Sequence, residues 1–298
     1  MRDDSFSKIG YRTVMASITL LLVATCMSGR SSVAVGVFDN PQIAESSALV
    51  RSRQYDGVFW TLNDSGDRAR IFAIDNRARS LGEYEVIGAT NVDWESIAVD
   101  ADGHLYLADL GNNLNARRDL VVYRVPEPDP RVPSKTVTVD RVIRVRYPEQ
   151  QARPDPLDMN YDAEALFWSG ETLYVLTKHR SDPGTVLYRF PSLDSDQEVD
   201  LIRISEFDTG DTMVTGADTT PDESYLAVLT YRRIYLFEKP ADSDDYLSRP
   251  LKSIEFDENV TMQCEGITWE EKALYFTNEQ MELHRIDEPL AKGVTRYP

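Results

Sequence analysis

The sequence predicts an all-β chain folded as a β-propeller of five four-stranded blades. Three observations carry this. Short apolar segments recur in the same order five times, turn-forming pairs separate them, and no stretch keeps a helical period. Many short, evenly spaced strands with aromatic residues in each unit are the signature of radial repetition.

The units read in chain order. The first is "AESSALV", "VFWTLND" and "RIFAID"; the second "DWESIAV", "HLYLADL" and "LVVYRVP". The third is "DAEALFW", "TLYVLTK" and "TVLYRFP"; the fourth "TGADTTP", "SYLAVLT" and "RIYLFEK"; the fifth "QCEGITW", "ALYFTNE" and "MELHRID". Each is an acid-led strand, an apolar strand with a polar end, and an aromatic-rich third strand. Asp102-Gly103, Ser169-Gly170 and Pro221-Asp222 mark the first hairpin turns. More polar fourth strands follow: "GEYEVIG", "KTVTVDRVIRVRYP", "VDLIRISEF" and "PLKSIEF". The fifth unit lacks one, and the N-terminal "SSVAVGVFD" is available to complete it, joining both termini in one sheet and closing the ring against open edges. The alternative is six blades, with a degenerate unit between Arg131 and Pro156.

The chain begins differently. Arg2, Lys8 and Arg12 precede the apolar run "ASITLLLVATCM", which is short for a membrane span of about 20 residues. Residues 1–34 read as a secretory signal peptide cleaved after Ala34, with residues 35–298 as one propeller domain. A lipoprotein signal is the alternative, with "VATC" placing the lipid on Cys26. The expected location is periplasmic or extracellular, as a monomer, touching membrane only through that lipid. Processing leaves Cys264 as the sole cysteine, so no internal disulfide forms. A net charge of −18, on a pI near 4.6, excludes nucleic acid as a partner.

In a propeller, the first strand of each blade lines the axis, so a repeated position becomes a ring. Glu95, Glu164 and Glu265 share one register ("WES", "AEA", "CEG"), and Trp168 and Trp269 each follow by four residues. Converging carboxylates raise each other's pKa or take a cation. Oxygen donors in number suit calcium, which accepts six to eight at about 2.3–2.6 Å. Ser47 or Glu45 in the first unit and Asp218 in the fourth complete the expected ring; a channel mouth neutralised by bases or water, or a different divalent ion, is the alternative.

Polar ends of the second strands should face the same funnel. Asn63, Asn112, Asn113, Tyr231, Asn278 and Glu279 are the expected ligand contacts, with Lys178 and Arg232 as inward cations and Asp64 as a carboxylate base. The expected ligand is a small polar or anionic molecule, or a peptide. Nucleophilic catalysis has little support: His104, His179 and His284 are the only imidazoles, and neither a nucleophile elbow nor a phosphate loop occurs.

With these residues placed, the order of motifs resembles the calcium-activated nucleotidase (apyrase) family of five-bladed propellers. "AESSALV…LNDSGDRARIFAID", "WESIAV", "AEALFWS…LTK", "TGADTTP" and "CEGITW" fall in matching order across nearly the whole mature chain. The resemblance implies an axial calcium on Ser47, Glu95, Glu164, Asp218 and Glu265. It departs where the family's phosphate-binding cations belong: Ser65 follows Asp64, and Asn112-Asn113 follow Gly111, although Lys178 keeps a basic residue. Architecture and metal therefore carry over more readily than nucleotide hydrolysis. The motifs also resemble those of exported bacterial propellers without assigned activity and, more loosely, phytase-like and gluconolactonase-like propellers. A binding protein is the first expectation; the second is a calcium-dependent hydrolase of phosphoesters, phosphoanhydrides or lactones, with Asp64, Lys178 and Arg232 as its reacting groups.

Overall fold

A computed structural model describes residues 34–132, 135–153, 155, 157–256, 261–293 and 295–296. The expected leader cleavage and the lipid on Cys26 concern residues 1–33 and lie outside the described residues, apart from Ala34.

Five antiparallel blades account for nearly all of the regular structure. Blade one comprises Val50–Arg51, Val58–Thr61, Arg70–Asp75 and Ser80–Ile87. Blade two comprises Trp94–Val99, His104–Asp109, Val121–Pro126 and Arg141–Arg146. Blade three runs Asp162–Ser169, Thr172–Lys178, Gly184–Arg189 and Ile202–Asp208; blade four runs Val214–Thr219, Tyr225–Thr230, Arg233–Glu238 and Pro250–Glu255. Blade five runs Cys264–Glu270, Ala273–Asn278 and Glu282–Asp287, and its outer strand is the N-terminal Gly36–Val37. Each inner strand contacts the next, and the fifth returns to the first, so the ring closes at five.

Both faces of the middle strands are buried, which is why their sequence reads as a continuous apolar run instead of an alternation. Successive side chains enter different inter-blade clusters. Phe59 packs with Tyr275 of blade five, whereas Trp60 packs with Ile97 and Leu105 of blade two. Val175 joins the cluster between blades two and three, and Leu176 the one between three and four. Leu274 and Phe276 complete the set against blade four. Hydrophobic burial at these five interfaces therefore holds the ring together.

Two expected fourth strands divide. From "KTVTVDRVIRVRYP", Thr136–Thr138 pairs in parallel with the outer strand of blade one, and only Arg141–Arg146 belongs to blade two. From "VDLIRISEF", Val199–Asp200 pairs with blade two, and Ile202–Asp208 with blade three. Each divided segment covers the unpaired backbone edge of the preceding blade before completing its own. Residues between Arg131 and Pro156 are used in this way, which removes the six-blade alternative.

Candidate functional site

Every inner strand carries a β-bulge at its funnel end. The register shifts between Trp94 and Ser96, between Ala163 and Ala165, and between Val214 and Gly216. It shifts again between Cys264 and Ile267, and in blade one between the Ser46–Asn63 bridge and the Val50–Trp60 pair. A bulge adds one residue without a ladder partner and re-aims its side chain. The extra residues are Glu95, Glu164 and Thr215, with Glu265 and Ser47 at the equivalent places.

This register corrects one expectation. Thr215, not Asp218, holds the fourth ring position, and its hydroxyl donates to the Cys264 carbonyl at 2.7 Å. Ser47 does the same to the Trp94 carbonyl at 3.0 Å. Asp218 sits three residues further along, where it accepts from Thr268 Oγ1 (2.8 Å) and the Trp269 amide (2.9 Å). Its half-buried side chain ties blade four to blade five. The acid in "TGADTTP" hid this: Thr215-Gly216 matches Glu265-Gly266, and the fourth unit carries a hydroxyl where the others carry a carboxylate.

The ring is narrow because small residues follow each ring residue: Ala48, Ser96, Ala165, Gly216 and Gly266. A Cβ on Gly266 would lie 2.5 Å from the Leu49 amide nitrogen, so the inner strands approach as closely as their backbones allow.

The second strands supply a second tier. The residues paired beside the bulges are Asn63, Asp109, Thr177, Thr230 and Asn278. Their side chains turn into the loops. Asn278 Oδ1 accepts from the Gln280 and Glu282 amides, and its Nδ2 donates to the Thr261 carbonyl. Asn63 Nδ2 donates to Gln42 O and Asp67 Oδ2, both at 2.7 Å. Asn112, expected at the funnel, likewise accepts from the Arg117 amide and donates to the Tyr161 carbonyl. All three asparagines are buried with their side chains bonded into loops, and none lines the axial cavity, so the structure places them as loop anchors and not at the expected funnel surface. Strand alternation sends the following residue to the axis. Asp64, Lys178, Tyr231 and Glu279 there line a cavity of about 400 Å³ with Ser47, Glu95, Glu164 and Glu265; Asn113 and Arg180 close its side.

Arg232, the second expected cation, is absent from this cavity. It pairs with Asp211 and lines the neighbouring cleft between blades three and four. Arg180 takes the place instead, donating to Asp162 Oδ2 at 2.7 Å, with Glu164 Oε1 at 3.9 Å. Asp162 is fully buried, and its other oxygen accepts from the Asn112 amide at 2.7 Å. Arg180 ends the polar run Lys178-His179-Arg180 of the third unit, whereas Asp162, two positions before Glu164, carries no signal of its own in the sequence.

Charge is distributed unevenly across the ring. Lys178 Nζ donates to Glu164 Oε1 at 2.8 Å and to the Tyr231 hydroxyl at 2.9 Å, and the Tyr231 hydroxyl also bonds Glu265. Burial opposes the lysine's charge, but Glu164 and Glu265 outweigh it and hold its pKa above the usual range. Burial pushes Glu164 up to about 7 despite that lysine. Glu95 has no such relief. It is 4% exposed, no protein donor reaches its carboxylate among the described residues, and burial then Glu164 raise its pKa well above the ordinary value.

Glu95 belongs to two groups whose carboxylate oxygens lie within 4.8 Å of one another: Asp64, Asp93 and Glu95, and Glu95, Asp162 and Glu164. Lys178 and Arg180 already engage the second group. The first has no basic side chain bonded to it among the described residues. Asp93, missed in the sequence, is admitted by a glycine: a Cβ on Gly111 would lie 2.4 Å from Asp93 Cγ. Burial raises the Asp93 carboxyl to about 6, and Asp64 adds to the shift.

Cys264 is buried in the apolar cluster between blades four and five, with burial raising its thiol pKa. It packs as a small hydrophobe.

No family model and no curated protein matches this chain. Among solved structures, it is similar to the PQQ-bound form of aldose sugar dehydrogenase (Adh) from Streptomyces coelicolor. The two are 11% identical with a TM-score of 0.51, over 85% of this chain and 96% of that one. A functionally unknown protein from Desulfotomaculum acetoxidans DSM 771 aligns with a TM-score of 0.42 at 10% identity, over 81% of this chain and 68% of that one. At 11% identity, the similarity to the first of these supports the propeller fold alone.

Proposed function

We propose that this protein is an exported propeller that binds a calcium ion at the axial cavity and, through it, a small polar or anionic ligand. The observation that carries the reading is Glu95: a buried carboxylate facing a cavity, shared by two acidic groups and given no donor by the protein. An isolated buried charge is costly unless paired, and a hard cation pairs several at once. The oxygen-only donors Asp64, Asp93 and Glu95 fit calcium. Glu164 and Glu265 then contribute through the lysine network, and Ser47 as a neighbouring hydroxyl.

The cavity itself is strongly acidic, with Glu45, Asp64, Glu95, Glu164, Glu265 and Glu279 facing Lys178 and Arg180. An anion gains access once a dication offsets that field. The resemblance to calcium-activated nucleotidases supports this architecture and metal. Hydrolysis has less support, since Arg232 stands apart from Asp64 and Lys178.

Calorimetric titration of chelator-treated protein with calcium tests the reading. Saturable binding is expected, with stability raised by about 2.7 kcal/mol at a calcium concentration a hundredfold above Kd, and Glu95→Gln should remove both. No heat, together with a melting temperature indifferent to calcium and chelator, would sink it. Screening small anions, short peptides, phosphoesters and lactones with and without calcium separates binding from turnover. Calcium-dependent turnover lost in Lys178→Ala would replace the binding reading with the hydrolase.

A further inference from the structure

Beside the axial cavity lies a second one of about 680 Å³, between blades three and four. The two share Arg180 and Tyr231 in their walls. Its volume falls in the range of about 300–1,000 Å³ occupied by small-molecule sites. His179 lines it and is 8% exposed. Its Nδ1 is hydrogen-bonded to Asp182 Oδ1 at 2.6 Å, and its Nε2 is buried without a partner among the described residues.

A carboxylate accepts only, so Nδ1 carries a proton, and in the neutral imidazole Nε2 presents a lone pair. Thr212 Oγ1, in the same wall, is also buried and has no partner among the described residues. Unsatisfied buried polar atoms are uncommon, and two in one cavity wall ask for a common explanation. Asp182 is itself braced by Asn160 Nδ2, and the Ser181 hydroxyl accepts from the Met159 amide at 2.6 Å. The imidazole is therefore held by a built scaffold.

The charges of this compartment balance. Among its lining residues Arg180 and Arg232 stand against Asp182 and Asp211, with the His179 imidazole counted as neutral. Met213, Met262 and Pro183 supply apolar surface. An acceptor-only nitrogen, donor-only guanidinium groups, a hydroxyl and an apolar wall suit one ligand chemistry. It is a neutral molecule whose hydroxyls both donate and accept and whose C–H faces are apolar.

We propose that the cleft between blades three and four is a binding compartment for a small neutral polyhydroxy ligand of monosaccharide type, with His179 Nε2 and Thr212 Oγ1 as its hydrogen-bonding partners. Tyr231 and Arg180 form the partition between this compartment and the axial cavity. The proposal needs no metal, so it stands or falls apart from the calcium reading.

The chain has three histidines, which makes their imidazole ¹⁵N signals separable by NMR. The experiment titrates full mature protein with D-glucose, D-galactose and D-xylose in excess chelator, with acetate and phosphate as controls. Saturable shifts of the His179 Nε2 resonance are expected with at least one sugar and not with the anions. Losing one neutral hydrogen bond should weaken binding about three- to tenfold in Thr212→Val and in His179→Gln. Asp182→Asn should weaken it too and disturb the His179 tautomer, a change that mere loss of stability would not produce. His179 signals unmoved by all three sugars would overturn the proposal. So would a response to the anions alone, equal affinity in Thr212→Val and wild type, or a wild-type tautomer protonated on Nε2.

Discussion

Lys178 places its ammonium 2.8 Å from Glu164 Oε1, and both side chains are almost wholly buried. They arise from adjacent strands of blade three, one from a bulge and the other from the residue beyond its partner. One basic residue thus compensates one side of the ring, while Glu95 on the other side stays without a donor. That asymmetry organises the behaviour expected of the site.

Removing the lysine should expose the cost of the glutamate. Lys178→Met leaves Glu164 buried with only Arg180, 3.9 Å away, to offset it, and breaking comparable buried pairs costs about 3–5 kcal/mol. The loss should be larger at pH 8 than at pH 6. A carboxyl whose folded pKa is raised contributes stability at low pH that disappears as pH rises through that pKa, which is already about 7 with the lysine present. Urea unfolding at the two pH values measures it; equal losses would contradict the assignment.

Gly111 is expected to be sensitive for a reason separate from backbone freedom. In Gly111→Ala the new methyl meets the Asp93 carboxyl group. Overpacking of this kind costs about 1–3 kcal/mol, and the displaced carboxylate should also weaken calcium binding. Calorimetry on the variant checks the second effect, and unchanged affinity would remove Asp93 from the ligand set.

The loop anchors should behave oppositely to the axial residues. Asn278→Ala strips acceptors from the Gln280 and Glu282 amides and a donor from the Thr261 carbonyl. A stability loss of about 1–3 kcal/mol is expected, with calcium affinity retained. Loss of calcium binding in a still-folded variant would restore Asn278 to the ligand contacts.

His284 sets an acid-side dependence. It is 1% exposed and stacked on Phe276 at 4.8 Å, and burial lowers its pKa despite the attraction of Glu282. A base with a depressed folded pKa contributes stability that is present above its unfolded value, about 6.5, and lost as pH falls below it. The urea midpoint should therefore decline between pH 7 and pH 5, and less steeply in His284→Gln. Parallel slopes would refute the linkage.

The repeat, its five-fold count and the closure by "SSVAVGVFD" were legible in the sequence. Each depends on local pattern: apolar runs of strand length, turn pairs and a missing fourth strand in the last unit. Glu95, Glu164 and Glu265 were legible for the same reason, since all three sit in recognisably similar strings. What the chain alone does not encode is pairing across strands. Pairing with the second strand put Thr215 and not Asp218 at the fourth ring position, and the alternation that follows turned Asn63 and Asn278 away from the funnel while turning Asp64 and Glu279 into it.

The sequence by itself determined the architecture and placed carboxylates at the heads of the blades, because strand period and repeat are properties of neighbours along the chain. Tertiary structure alone decided which charges meet. Lys178 reaches Glu164, Arg232 turns to Asp211, Arg180 replaces it, and Asp93 enters beside a glycine. Those outcomes depend on distances between residues far apart in sequence, and electrostatic and steric energies are fixed by distance.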